Sequence, residues 1–168
     1  MIEMNVSGIA LDASSRIPIV MLKDASERRA LPIWIGQHEA KAILSVIEGK
    51  QSPRPMTHDL FFNFLQDWDF DLEKVVIHAL EDSTFYAAIF FTQGEQERQL
   101  DARPSDAIAL ALRFDAPIWV MEEVVADASL PVDQDADAAE REEFKEFIDQ
   151  IRPSDFQQRL GDSGAASE

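Results

Sequence analysis

The residues best suited to chemistry fall in two short stretches, and the first, at residues 53–60, leads into a predicted helix. Thr57 is placed as the N-cap of this helix, because its hydroxyl can accept an orphan backbone N–H. Helix N-termini attract anions, so Arg54 and Thr57 are candidate phosphate-binding residues. His58 can act as acid or base near neutral pH, and Asp59 is a second catalytic candidate. The alternative is a capped helix with no chemical role.

The second stretch begins another predicted helix and holds five polar side chains: Asp101, Arg103, Ser105, Asp106 and Arg113. Asp101 and Asp106 flank the helix start, and neighbouring carboxylates can hold Mg²⁺ or Mn²⁺, which favour oxygen ligands. Arg103 or Arg113 can bind a phosphate through two N–H groups. We count Ser105 with the phosphate-binding candidates and Asp106 also with the catalytic ones. The alternative is a helix cap with a local Asp–Arg ion pair.

Several common catalytic signatures are missing from the sequence. It has no Gly-rich phosphate loop followed by Lys-Ser/Thr, no His-Glu-x-x-His and no Gly-x-Ser-x-Gly. It also has no cysteine, which excludes disulfides, thiolate metal sites and cysteine nucleophiles. Chemistry would therefore depend on the carboxylates, arginines and histidine of the two stretches, whose helix starts must then meet in space.

The hydrophobic pattern places these stretches in an α+β fold. Alternating or continuously apolar segments predict strands at residues 2–11, 17–22, 31–35, 75–80, 84–92, 96–100 and 117–121. Helical spacing predicts one helix after Gly36, one from Thr57 and one over residues 104–114. The second helix carries an apolar stripe that predicts anchoring in a core: Phe61, Phe64, Leu65 and Trp68. We expect a mixed or antiparallel sheet of about six to seven strands with three packed helices and a C-terminal helical acidic tail.

Charge divides the chain into two parts. The formal net charge is -17, and residues 122–168 hold 14 acidic against 4 basic side chains. We predict one domain at residues 1–125 and an acidic tail at 126–168 with one amphipathic helix, whose stripe is Phe144, Phe147, Ile148 and Ile151. This charge repels a polyanion at long range. Nucleic-acid binding would therefore need a local arginine cluster, a divalent cation or both.

Four segments, in this order along the chain, resemble the bifunctional nuclease domain family. They are Leu-Pro-Ile-Trp-Ile-Gly at 31–36 followed by Glu39, Pro-Arg-Pro-Met-Thr-His-Asp-Leu at 53–60, Thr-Phe-Tyr-Ala at 84–87, and Asp-Ala-Arg-Pro-Ser-Asp-Ala-Ile-Ala-Leu-Ala at 101–111. The likeness runs from about Met1 to Val125, and the acidic tail resembles the family's extension. The resemblance implies a compact α+β fold, self-association and nuclease activity on DNA and RNA.

The combined expectation is a nuclease that hydrolyses phosphodiester bonds of DNA and RNA, assisted by Mg²⁺ or Mn²⁺. The alternative is a non-enzymatic, oligomeric interaction protein whose polar motifs are structural, and a small-anion or nucleotide sensor is a third class. No apolar run approaches the ~20 residues of a membrane helix, and the first residues do not resemble a secretory signal. We therefore expect a cytoplasmic homo-oligomer without a membrane partner.

Overall fold

An eight-stranded mixed sheet organises the protein, which the computed structural model describes over residues 1–50 and 52–131. Its strands are β1 (Ile2–Leu11), β2 (Pro18–Asp24), β3 (Arg29–Trp34), β4 (Asp71–Glu81), β5 (Thr84–Gln93), β6 (Gln96–Ala102), β7 (Ile118–Val120) and the two-residue β8 (Leu130–Pro131). They lie in the order β6-β5-β4-β7-β1-β2-β3-β8. The predicted α+β fold with a mixed sheet is confirmed, with β8 added at one edge.

Two antiparallel meanders make up most of this sheet. Strands β1 to β3 form one and β4 to β6 the other. Strand β7 joins them, since it pairs parallel to β4 and antiparallel to β1. The predicted β4–β5 hairpin closes through Asp82 and Ser83, which both have positive φ, a conformation that matches the twist of the flanking strands.

Four helices accompany the sheet: α1 (Gln37–Ile47), α2 (Thr57–Asp67), α3 (Pro104–Phe114) and α4 (Glu122–Ala128). Helix α1 lies against β1 and β2, α3 lies against β4 and β5, and the two helices pack on each other. Five consecutive residues of α3, from Ala107 to Ala111, are buried, and its small alanines permit close approach. Helix α2 packs mainly on α3, so α3 is the central element between α1, α2 and the sheet.

The prediction that the α2 stripe is anchored in a core is wrong for most of the stripe. Leu65 is the residue of α2 that is buried, whereas Phe61, Phe64 and Trp68 are exposed to solvent. Helical spacing correctly predicted the element and its apolar face. It cannot tell whether the surface facing that stripe belongs to the same chain, because spacing reports only that the residues share one side of the helix.

The start of α2 also differs from the prediction. Thr57 is the first helical residue and Met56 is the N-cap. The side chain of Asp59 reaches back to accept the backbone N–H of Met56, with Oδ2 and N 2.9 Å apart. The carboxylate of Asp59, at the third helical position, therefore caps the helix in place of the predicted Thr57 hydroxyl.

Helix α4 and strand β8 were not predicted. No helix was predicted between residue 114 and the acidic tail, but Val124 and Val125 are buried and hold a helix that lies against β4 and β3. Seven residues are too few to display a helical period. Helix α4 spans the predicted boundary at residue 125, and that boundary stays a prediction. The tail stripe at residues 144–151 lies outside the described residues. Within the described part of the chain, no helix is both long and apolar enough to cross a membrane.

Candidate active site at three helix starts

The N-termini of α1, α2 and α3 meet and carry two neighbouring sets of ion pairs. Their members are Glu39 from α1, His58 and Asp59 from α2, and Arg103, Asp106 and Arg113 at or on α3, which we call the helix-start cluster. The two stretches that the sequence singled out are 48 residues apart at their point of contact. Folding brings them together because α2 packs on α3 and the two helices begin at the same end.

Asp106 is the centre of the exposed half of the cluster. Its Oδ1 lies 3.0 Å from Nε2 of His58. Arg103 grips the same carboxylate with two nitrogens, Nε at 2.7 Å from Oδ2 and Nη2 at 3.1 Å from Oδ1. The His58 side chain is 16% exposed and the Arg103 side chain 65% exposed. A half-buried imidazole is thus oriented by a carboxylate, which an arginine holds in place from the solvent side.

Glu39 extends this half of the cluster to α1. Its Oε1 accepts a hydrogen bond from Nη2 of Arg103 at 2.9 Å. The space it occupies depends on Gly36, the N-cap of α1, because a Cβ at that position would stand 2.1 Å from the Glu39 carboxylate. Glu39, which follows the first of the four segments that resemble the family, thus forms an ion pair with Arg103.

Arg113 and Asp59 form the buried half of the cluster. Nε and Nη2 of Arg113 both lie 2.8 Å from Oδ1 of Asp59. The same guanidinium donates to the carbonyls of Ala42 and Ala109, and its side chain is 6% exposed. Arg113 therefore ties α1, α2 and α3 together. All its nitrogens are engaged, so the sequence-based suggestion that it holds a phosphate is disfavoured.

The pKa values of the cluster follow from these contacts. Partial burial raises the pKa of Asp106, but the hydrogen bonds from Arg103 and His58 outweigh burial and hold the pKa below its ordinary value. Asp59 behaves in the same way, because the Met56 N–H and Arg113 overcome the effect of burial and lower its pKa. The carboxylates beside Arg103 raise its pKa in turn. Both aspartates are therefore ionised at neutral pH.

The remaining sequence candidates lie around the cluster. Arg54 and Thr57 are exposed just before and at the start of α2, and Arg54 has no hydrogen-bond or ion-pair partner within residues 1–50 and 52–131. Ser105, the second residue of α3, is 6% exposed, which weighs against contact with a phosphate of a polymer. Asp101 lies on β6, where it pairs with Ala88 of β5.

The donor set does not match a preformed metal centre. Asp106 is already bonded to Arg103 and His58 through both of its oxygens, and these donors compete with a metal for the carboxylate. No group of three or more His, Asp or Glu side chains suited to a metal occurs among the described residues. The expected metal site at Asp101 and Asp106 stays a prediction, and no chemical step below is routed through a metal.

Taken together, the fold and cluster define an α+β protein with a histidine, two exposed arginines and a paired carboxylate at converging helix starts. Residues 20–133 match the bifunctional nuclease domain, and the chain belongs to that family. An uncharacterized protein of Mycobacterium tuberculosis strain H37Rv, Rv1829, is 41% identical over 162 residues, covering 92% of this chain and 97% of the relative.

Plant proteins of the family are more distant relatives. Bifunctional nuclease 1 of Oryza sativa subsp. japonica is 24% identical over 126 residues, which is 73% of this chain and 38% of the rice protein. The bifunctional nuclease of Oryza minuta is similar to the same extent. The resemblance stated from sequence motifs is thus confirmed at the level of the family.

Proposed function

We propose that the protein is a nuclease that hydrolyses phosphodiester bonds of DNA and RNA at the helix-start cluster. Its family and the names of the rice relatives support nuclease chemistry. The observation that carries the proposal is the 3.0 Å contact between His58 Nε2 and Asp106 Oδ1, beside an arginine that is 65% exposed. A base, the group that orients it and a phosphate ligand thereby share one solvent-facing site.

His58 is the proposed acid–base residue. An ionised Asp106 can only accept a hydrogen bond, so Nε2 of a neutral His58 carries the proton and Nδ1 carries the lone pair. Nδ1 has no hydrogen-bond partner in the described part of the chain. Asp106 is then a positioning residue that fixes the tautomer and stabilises the imidazolium form, the role that a carboxylate plays beside catalytic histidines in general.

Arg103 and Arg54 are the proposed phosphate ligands. Arg103 uses Nε and Nη2 for Asp106 and Glu39, which leaves the two N–H groups of Nη1 for a phosphate. Arg54 is exposed at the start of α2, where Thr57 and the first-turn N–H groups add further donors. Such donors act on the charge that develops on the phosphoryl oxygens in the transition state.

The proposed step is attack by water in line with the leaving oxygen. His58 Nδ1 takes a proton from water while the new P–O bond forms and the bond to the leaving oxygen breaks, and the leaving oxygen takes a proton from solvent. Asp59 is engaged by Arg113 and Met56, so we assign it the positioning of α2 rather than proton transfer. Metal dependence stays a prediction for the assay.

The test is nuclease activity of highly purified protein on single- and double-stranded DNA and RNA, with Mg²⁺, Mn²⁺ or EDTA. Removing a general base costs about 10²–10⁴ in rate, so His58→Ala should lose most activity. The matched control is His78→Ala, because His78 is exposed on β4 and its ring neighbours Tyr86 instead of the cluster. Equal activity in wild type, His58→Ala and His78→Ala would identify a contaminant and refute the proposal.

A non-enzymatic interaction protein is the second candidate, favoured by one observation. Each carboxylate of the cluster is paired with an arginine or histidine, as expected of ion pairs whose role is to hold three helices together. On this reading Arg103→Ala lowers the melting temperature or the oligomeric state without any catalytic change. Under the nuclease proposal Arg103→Lys retains the charge yet loses activity, because a lysine cannot bind Asp106 and a phosphate at once.

A further inference from the structure

The exposed side of α2 carries an apolar surface that the helix-start cluster does not use. We call Leu60, Phe61, Phe64 and Trp68 the α2 apolar face. Their exposed fractions are 64%, 38%, 50% and 60% respectively. The aromatic rings form a row, with centroids 6.4 Å apart for Phe61 and Phe64 and 5.9 Å apart for Phe64 and Trp68.

The size of this face matches an interaction surface. Applied to side chains of about 150–250 Å² each, the exposed fractions leave about 400 Å² of apolar area in one patch. The largest such patch on a monomeric protein is about 300–600 Å² and is often functional. A stable interface takes about 800 Å² from each partner, so the α2 apolar face would supply its apolar centre and a polar rim the rest.

The charges at the two ends of α2 are of opposite sign. Arg54 lies just before its start, whereas Asp67 is its last residue and Asp69 and Asp71 follow it. None of these three aspartates has an ion pair among residues 1–50 and 52–131. Eleven residues separate the ends by about 16 Å. An antiparallel copy of the same helix therefore places acidic groups beside basic ones at both ends, and the two helix dipoles oppose each other favourably.

We propose that the α2 apolar face packs against the same face of a second copy, related by a two-fold axis. Leu60, Phe64 and Trp68 are spaced four residues apart and form a single ridge, the surface feature by which helices interlock. Such an interface is self-complementary and closes at two chains. The proposal is independent of nuclease activity, and the two helix-start clusters lie at opposite ends of the shared helix pair.

Other occupants fit this face less well. The apolar stripe of the chain's own acidic tail carries carboxylates on its flanks, and these would meet the acidic end of α2. An anionic membrane surface would be repelled by the same end and by the net charge of -17. A second copy satisfies both ends of the helix at once.

The test is the mass of full-length protein by sedimentation equilibrium over a dilution series. Wild type should sediment as a dimer of the 18.9 kDa chain. Phe64→Glu places a charge at the centre of the interface and should raise the dimer Kd by more than about 30-fold, the effect of losing one hot-spot residue. Circular dichroism and thermal melting establish that the variant is folded.

Two further variants decide between interfaces. Leu100→Glu is the matched control, since Leu100 is 47% exposed on the edge strand β6, and Phe147→Glu alters the tail stripe. Both should remain dimeric. A monomeric wild type, a dimeric Phe64→Glu, or a dimer lost only in Leu100→Glu or Phe147→Glu would overturn the proposal.

A covalent readout covers the case in which Phe64→Glu fails to fold. The chain has no cysteine, so Phe64→Cys and Leu100→Cys each introduce a single thiol. Under mild oxidation Phe64→Cys should form an interchain disulfide, because the middle of a two-fold interface faces its own copy. Crosslinking of Leu100→Cys in preference to Phe64→Cys would refute the α2 interface.

Discussion

Replacement of Arg113 by methionine should destabilise the protein by removing the tie between α1, α2 and α3. The substitution keeps an unbranched side chain of similar reach and removes the guanidinium. Its bonds to Asp59, the Ala42 carbonyl and the Ala109 carbonyl are then lost. The chemistry of the helix-start cluster is left intact, because His58, Asp106 and Arg103 do not contact Arg113 in the described bonds.

The magnitude follows from what the substitution leaves behind. Breaking a buried ion pair by removing one partner costs about 3–5 kcal/mol. Here Asp59 is 34% exposed and regains water, and the Ala42 carbonyl keeps the Ser45 hydroxyl. We therefore expect a loss of stability at or below the bottom of that range, about 2–3 kcal/mol. For a chain of this size that lowers Tm by about 5–10 °C.

The assay is thermal and urea unfolding of Arg113→Met, Asp59→Asn and the double variant at neutral pH. Asp59→Asn should cost more than Arg113→Met, because it leaves a guanidinium that is 6% exposed without its carboxylate. The double variant should cost less than the sum, with a coupling of about 1–3 kcal/mol. Arg98→Ala, at an exposed arginine on β6 bonded to Gln96, should change stability by less than about 0.5 kcal/mol. A loss in Arg113→Met no larger than in Arg98→Ala, or strictly additive losses, would refute the structural role.

Three further predictions concern the exposed half of the cluster. Asp106 has a lowered pKa, so its contribution to stability is complete above the ordinary aspartate pKa of 3.8 and is lost as pH falls through the pKa of the folded state. Asp106→Asn should therefore melt at a lower temperature at pH 6, and its stability should depend less steeply on pH in the acidic range. Gly36→Ala, whose Cβ displaces the flexible Glu39 carboxylate, should leave the free energy of unfolding within about 1 kcal/mol of wild type yet weaken phosphate binding by altering Arg103. Single-stranded DNA affinity, measured by anisotropy, should fall about fivefold to tenfold between 50 and 200 mM salt, because two arginines release few counterions; a fall above a thousandfold would show a larger basic surface.

Much of the fold follows directly from the sequence because its signals are local. Strands β1 to β7, α1 and α3 were predicted within a few residues, and Pro104 correctly predicted the first residue of α3. The short helix α4 was missed, since two adjacent valines in an acidic segment show no helical period. The exposure of Phe64 and Trp68 was also missed, because a stripe predicts an apolar contact and does not say which chain provides it.

The sequence was enough to predict which residues form the candidate site, but not which of their side chains are bonded to each other. Helix-start residues at 53–60 and 101–106 were singled out from their residue types, and the structure brings them together through α3. The assignments of Asp59 and Arg113 needed coordinates, because an Asp next to a His in sequence gives no indication that its partner lies 54 residues away. Such partners depend on helix packing, and no local pattern encodes them.

The division of the arginines indicates what the proposed anion site must depend on in a chain of net charge -17. Arg113 is bonded to Asp59 inside the fold, and Arg103 is held between Glu39 and Asp106. The site therefore has little net positive charge. Long-range attraction of a polyanion is then weak, and recognition must come from directed N–H donors at short range. This predicts a slow, contact-dependent enzyme rather than an avid nucleic-acid binder. Arg103→Lys distinguishes recognition by directed donors from recognition by charge alone, because it preserves the positive charge and removes the planar guanidinium group. A variant with unchanged turnover and binding would show that charge alone suffices and that the geometry of the cluster has no role in catalysis.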